Sequence, residues 1–336
     1  MIAPATETGR TLAMGENEAV GGTRAEVGAP FGHALAALGR QRDNIVGLTA
    51  DLGKYTDIHP FRDVCPDRFF NVGMAEQNLV AVAAGIARTG NVVFATTYGV
   101  FASRRAFDFV AIACAHSNLN VKIIAGLPGL TTGYGGTHQA IEDLALMRMI
   151  PGLVVIDPCD ATEIAAATRV IADHQGPVYM RLLRGKVPVV FDPATYRFEI
   201  GKAQRLRAGG DIGIISTGTM TERAIDAAMA LEHKGISVAV LHVPTIKPFD
   251  AAAVIEFASS VGQLVSAENH VAVGGLGSLI AETLFNAGMP KRLTRIGLPD
   301  RYIECGSVPV LQDTYGLTTA RVIETIYAAV RGGRPG

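Results

Sequence analysis

Asn71-Val72-Gly73-Met74-Ala75-Glu76-Gln77-Asn78 joins a short strand to an apolar helix and sets one carboxylate at the junction. Before it, Arg68-Phe69-Phe70-Asn71-Val72 has the aromatic and β-branched character of a strand. After it, Leu79, Val80, Val82, Ala83 and Ile86 follow with no charge until Arg88, so the pattern predicts a helix over 76–88 buried on most sides. The helix dipole favours an acid in the first turn by roughly 0.3–1 kcal/mol, and that alone accounts for an ordinary glutamate.

Outward from this junction, short β-branched runs alternate with Ala/Leu-rich segments of helical period. This is the pattern of an α/β fold with mostly parallel sheets flanked by helices. Strands are predicted over 44–48, 92–96, 121–125, 153–156 and 178–182, and helices over 31–38, 76–88, 101–116, 141–149 and 161–174. Asp160 and Glu163 have capping-box spacing at the last of these helices. The first domain spans 25–195, preceded by a leader over 1–24 without periodicity, which is expected to be flexible. Composition shifts over 196–210, read as a linker. A second α/β domain covers 211–333, with strands at 211–216, 237–243, 263–267 and 292–296 and helices at 221–234, 251–260, 278–287 and 318–330.

Bulk composition narrows the function classes. The chain of 336 residues is 49% hydrophobic and 18% charged, against roughly 25% charged for an average soluble protein. With a mean hydropathy of +0.27, it reads as a subunit with a large interface. A net charge of −1 without a basic block argues against nucleic-acid binding, which needs many phosphate contacts. The apolar run 79–101 is broken by Arg88-Thr89-Gly90-Asn91, giving helix, turn and strand rather than a membrane span. Four scattered cysteines without metal-ligand spacing and the lack of a signal-peptide pattern point to a cytoplasmic protein.

Several other residues carry chemistry. Tyr98 and Phe101, in Phe94-Ala-Thr-Thr-Tyr98-Gly-Val-Phe101, are by themselves aromatics at core spacing. His138 lies in Gly133-Tyr134-Gly135-Gly136-Thr137-His138-Gln139, where glycines allow close backbone approach to a ligand and a histidine can exchange protons near neutral pH. Asp51 follows a strand, an ordinary place for a turn aspartate. Arg184 offers a planar fork of donors suited to an anion. Arg24 is either a second anion contact or a solvated residue of the leader. Val273-Gly274-Gly275-Leu276-Gly277-Ser278 lacks the full phosphate-loop spacing and reads as a tight turn.

Together the segments around Glu76, Tyr98 and His138 resemble the pyrimidine-binding domain of thiamine diphosphate enzymes, specifically the transketolase family. The resemblance covers about residues 24–330 and extends through that family's C-terminal domain. It implies that Glu76 activates the cofactor, a carboxyl working best semi-buried. Tyr98 and Phe101 would form the wall for the aminopyrimidine. Asp51 would reach toward the cofactor across a subunit boundary, His138 would face the substrate, and Arg184, with Arg24 more weakly, would grip a sugar phosphate. In this superfamily Gly-Asp-Gly and a downstream Asn hold the diphosphate and Mg²⁺, and no Gly-Asp-Gly occurs here. The chain therefore resembles the second subunit of a split transketolase. Its partner, an N-terminal subunit with Gly-Asp-Gly, would bind Mg²⁺ and complete an α2β2 heterotetramer.

Three departures from the family bear on the sugar. Leu127-Pro128 stands where transketolases usually carry a Thr-His-Asp histidine, Tyr134 replaces an acid, and a phosphate-binding serine is absent near Lys54-Tyr55. The β subunit of a 2-oxoacid dehydrogenase has the same two domains but a Tyr-His-Ser-Gln segment where this chain has Thr137-His138-Gln139-Ala140. A non-catalytic scaffold subunit is the remaining reading, and a retained acid in an apolar pocket argues against it.

Overall fold

The β-branched runs of the first half become neighbours in one parallel sheet. In the computed structural model, residues 24–330 are described, so the expected leader lies outside the described residues except for Arg24. The chain forms β1 (Glu26–Gly28), α1 (Pro30–Gln41), β2 (Ile45–Thr49), α2 (His59–Val64), β3 (Phe69–Asn71), α3 (Glu76–Ala87) and β4 (Val92–Tyr98). A short α4 (Phe107–Phe109) follows between two π-helical stretches, Phe101–Arg105 and Val110–Ala115. Next come β5 (Val121–Gly126), α5 (Asp143–Arg148), β6 (Val154–Ile156), α6 (Ala161–Asp173), β7 (Val178–Leu182) and β8 (Lys186–Pro188). The second half contains β9 (Gln204–Arg207), β10 (Ile212–Ser216), α7 (Met220–Glu232), β11 (Val238–His242), β12 (Thr245–Lys247) and α8 (Ala251–Ser259). It ends with β13 (Gln263–Val271), α9 (Leu276–Asn286), β14 (Leu293–Leu298), α10 (Val308–Thr314) and α11 (Thr319–Val330).

The first sheet has the order β12-β6-β7-β5-β4-β2-β3. Its strands β2 to β7 run parallel and those at its centre are buried along their length, which is why they read as continuous apolar runs rather than alternating ones. On one face Phe31 and Leu35 of α1, Phe61 of α2 and Ile164 of α6 pack together. On the other, Leu79, Val80 and Ala83 of α3 pack with Ala102, Ala106 and Val110. The second sheet has the order β14-β13-β10-β11-β9, parallel except for β9. One apolar cluster continues from Leu79 and Ala106 into Leu241, Phe257 and Ile280, so the two domains share a core.

Several expectations are refined. β9 forms inside the stretch 196–210 read as a linker, and it pairs antiparallel to β11. β12 belongs by sequence to the second half yet adds an antiparallel edge to the first sheet, pairing with β6 at Thr245 and Ile156. The stretch 101–116, expected as one helix, widens into π turns at both ends of α4, a feature that apolar spacing does not announce. Asp160 Oδ1 accepts from the Glu163 amide at 2.7 Å, as the spacing implied, whereas the Glu163 carboxylate takes the Cys159 amide. The glycine-rich turn before α9 is filled by the protein's own acid: Glu268 accepts from the Leu276 and Gly277 amides at 2.7 and 2.8 Å.

Candidate active site

Ligands of open parallel sheets gather beyond the carboxyl ends of the strands. Asp51, Glu76, Tyr98, His138 and Arg184 all follow or end such strands in the first sheet. Three non-glycine residues there adopt left-handed backbone, Asp51 at φ +58, Asp57 at φ +55 and Leu127 at φ +55. Strain of this kind concentrates where function requires a special path.

Glu76 occupies the first position of α3 and is 3% exposed. Asn71 fixes the approach to it: its Oδ1 accepts from the Asp51 and Gly73 amides, both at 3.0 Å, and its Nδ2 donates to Asp51 Oδ1 at 2.9 Å. The ends of β2 and β3 are thereby tied together directly before the helix. Arg105 Nη1 donates to Glu76 Oε2 at 2.8 Å, and the same guanidinium lies 4.5 Å above the Phe101 ring. The π turn that carries Arg105 begins at Phe101, the second of the predicted aromatic pair.

Phe101 links Glu76's partner to a ring cluster. Its centroid lies 5.9 Å from Tyr98 and 5.5 Å from His138, and Tyr134 packs 5.5 Å from His138. The two contacts to His138 are edge-on, an arrangement favourable for aromatic quadrupoles, and the Tyr98–Phe101 pair is tilted. His138 is half-buried, with Nδ1 2.9 Å from Thr137 Oγ1. Burial raises the Tyr98 hydroxyl above its ordinary pKa, and the positive charge of Arg184 opposes that rise. Arg184 itself sits 5.8 Å from the Tyr55 ring. Beside it Asp57 is buried, accepts from the Gly185 amide at 2.6 Å and has a raised pKa. Desolvation is the main cause, countered by that amide and by Arg184, His59 and His33.

The predicted residues divide clearly. Glu76, Tyr98, Phe101 and His138 are joined through Arg105 and the rings, Arg184 stands at the edge beside Tyr55, and Asp51 is exposed and bound to Asn71. Arg24 turns elsewhere. Its guanidinium donates to Asp226 at 2.5 and 3.1 Å and to Glu222 at 2.8 Å, both on α7 of the second domain. Two poorly solvated carboxylates on one helix require a cation, and we propose that Arg24 serves them rather than a phosphate. Asn71 and Arg105 went unassigned in the sequence. Asn71 stands in the quoted motif, while nothing in the pattern marks Arg105. Among the described residues, no group of three or more His, Cys, Asp or Glu is arranged to hold a metal ion, and no helix is long and apolar enough to cross a membrane.

The arrangement is that of a pyrimidine-binding domain: residues 25–189 match the family description "Transketolase, pyrimidine binding domain", and residues 201–322 match "Transketolase, C-terminal domain". The chain belongs to the transketolase family. It is 54% identical over 300 residues to an uncharacterized transketolase family protein, y4mN, of Sinorhizobium fredii, covering 89% of this chain and 87% of the relative. It is 41% identical over 294 residues to the 6-deoxy-6-sulfo-D-fructose transketolase subunit SqwH of a Clostridium species, covering 87% and 91%. Among solved structures it is similar to a split gene transketolase described as an inactive beta4 tetramer, with a TM-score of 0.83 and 41% identity over 91% of this chain and 98% of that one.

Proposed function

We propose that this chain is the pyrimidine-binding subunit of a split, thiamine diphosphate-dependent transketolase. It would transfer a two-carbon ketol unit from an anionic ketose to an aldose. The observation that carries this reading is Glu76, a carboxylate 3% exposed at a helix start, beside rings that also surround a histidine. The pyrimidine half of the coenzyme fits these residues, since it needs a shielded carboxyl group and a flat apolar wall. The diphosphate half finds no acidic cluster among the described residues, so a partner chain bearing Gly-Asp-Gly is proposed to hold it with Mg²⁺.

When bound, the coenzyme supplies the nucleophilic carbon and electron sink for carbon–carbon cleavage. Glu76 would share a proton through its carboxylate oxygens with the pyrimidine, and Tyr98 and Phe101 would exclude water from the ring. Asp51, exposed at the end of β2, would contact the cofactor from across the subunit boundary. His138 has Nδ1 engaged with Thr137, which leaves Nε2 to exchange protons with substrate hydroxyls. Arg184 would hold the distal anion, phosphate or sulfonate; a relative is named for a sulfonated ketose. Two such chains with two partners would close a symmetric tetramer. The four free cysteines suit the reducing cytoplasm.

The test is co-expression with a chain carrying Gly-Asp-Gly and a downstream Asn, followed by assay of coenzyme-dependent ketol transfer. Activity is expected only from the pair. Turnover by this chain alone, or by the pair with Glu76→Ala, would overturn the reading.

A further inference from the structure

The loop that carries His138 is held at its start by the other domain. Asn269 Oδ1, at the end of β13, accepts from the Leu130 amide at 2.8 Å. Gln312 Nε2, on α10, donates to the Leu130 carbonyl at 2.8 Å. Both polar groups of one buried peptide position are thus satisfied by side chains from the C-terminal domain. Gln312 is itself fixed, since Arg223 donates to its Oε1 at 2.6 Å and to the Leu317 carbonyl at 2.6 Å. Further along, the Gly306 amide donates to the Gly133 carbonyl at 3.0 Å. The fit is close. A Cβ on Gly129, at φ +58, would lie 2.3 Å from the Asn269 carbonyl oxygen, and one on Gly135 would lie 2.7 Å from Cys305 Sγ. At the far end Arg104 donates to the Gly136 carbonyl at 2.7 Å, while its guanidinium lies 5.5 Å from the Tyr302 ring.

We infer that the C-terminal domain acts as a mould for the His138 loop, with Asn269 and Gln312 as positioning residues that work through Leu130. This rests on the role proposed above for His138. A buried peptide group that loses its partner seeks another, and a loop with one anchor released samples other paths. A displacement of about 1 Å at a reacting group can cost about 100-fold in rate. Glu76, Tyr98 and Phe101, the groups proposed to hold the pyrimidine, make none of the hydrogen bonds at Leu130.

The experiment uses the complete two-chain enzyme with Asn269→Ala, Gln312→Ala and Gln312→Glu. The last keeps an acceptor for Arg223 but removes the donor to Leu130. Steady-state kinetics, coenzyme Kd and hydrogen exchange of the 130–138 amides are measured on each. All three variants are expected to lose at least tenfold in kcat/KM and to exchange faster across the loop, with coenzyme Kd within about twofold of the parent. Gln312→Glu is expected to match Gln312→Ala. Parental kcat/KM with unchanged loop exchange would overturn the inference, as would coenzyme affinity falling in step with turnover. A His138→Ala enzyme with full turnover would refute the catalytic role of His138, while the exchange data would still judge the clamp.

Discussion

Arg105 and Glu76 are 29 positions apart in sequence, yet Nη1 of one donates to Oε2 of the other at 2.8 Å, the carboxylate buried and the guanidinium 51% exposed. The same arginine lies over Phe101, so a single side chain rests on both the acid and the aromatic wall. A buried charge thus keeps a partner on its solvent side.

Removing that partner leaves a buried carboxylate without its charged donor. A hydrogen bond to a charged group contributes about 1.5–3 kcal/mol, and the exposure of Arg105 favours the low end. Arg105→Ala is expected to destabilise the coenzyme-free chain by about 1.5 kcal/mol in urea unfolding. Arg105→Lys should recover only part, because an ammonium lacks the flat face that rests on Phe101. Equal stability of Arg105→Ala and the parent would contradict the pairing.

Glu76 itself gives the sharpest contrast between fold and activity. Glu76→Ala removes an acid from the start of α3, where the dipole contribution is only about 0.3–1 kcal/mol. Assembly and melting temperature are expected to survive with turnover reduced at least 100-fold. Gln77→Ala, an exposed neighbour, should leave turnover near the parental value.

The two arginines separated by the structure should behave oppositely. Arg184→Ala is expected to raise KM for an anionic ketose at least tenfold with a smaller change in kcat, the signature of lost binding. Arg24→Ala releases Glu222 and Asp226, so it should lower stability by about 1–3 kcal/mol and leave KM unchanged. A KM effect from Arg24→Ala would restore it to the site.

Glu268 makes a pH prediction. Burial lifts its pKa to about 7, against the Leu276 and Gly277 amides and the charges of Arg181 and Arg295, with His270 Nδ1 3.8 Å away. The folded state therefore holds this proton more tightly than the unfolded chain. Its contribution is full below the ordinary pKa of 4.5 and is lost as pH rises through about 7. His270, lowered to about 4 by burial, works the other way: its contribution is present above 6.5 and is lost as pH falls toward 4. Glu268→Gln is expected to flatten the alkaline loss between about pH 5 and 7.5, each proton being worth about 1.4 kcal/mol per pH unit. Urea midpoints across that range give the slope, and an unaltered slope would refute the assignment.

Much of the fold was legible because periodicity is local. Strands β4, β5 and β7 and helices α3 and α6 fall within one or two residues of where the apolar runs put them. Glu76 was legible because a glycine turn and an uncharged helix frame it. Arg105, Asn269 and Gln312 were not, since each is a lone polar residue whose partner is fixed only by tertiary packing. Arg24 shows the converse. Resemblance suggested a role for the position, whereas the carboxylates that claim it stand 198 and 202 residues away. β12 escaped because a three-residue edge strand carries no period, and its partner belongs to the other domain.

That borrowed strand makes the chain resist dissection. A cut near residue 200 would leave β6 as a raw edge, with unpaired backbone groups ready to template aggregation. It would also strip Leu241 and Ile246 from the core that Leu79 anchors. What looks in sequence like two modules on a string is a tongue-and-groove joint, so the histidine's support and the glutamate's helix belong to one packed unit.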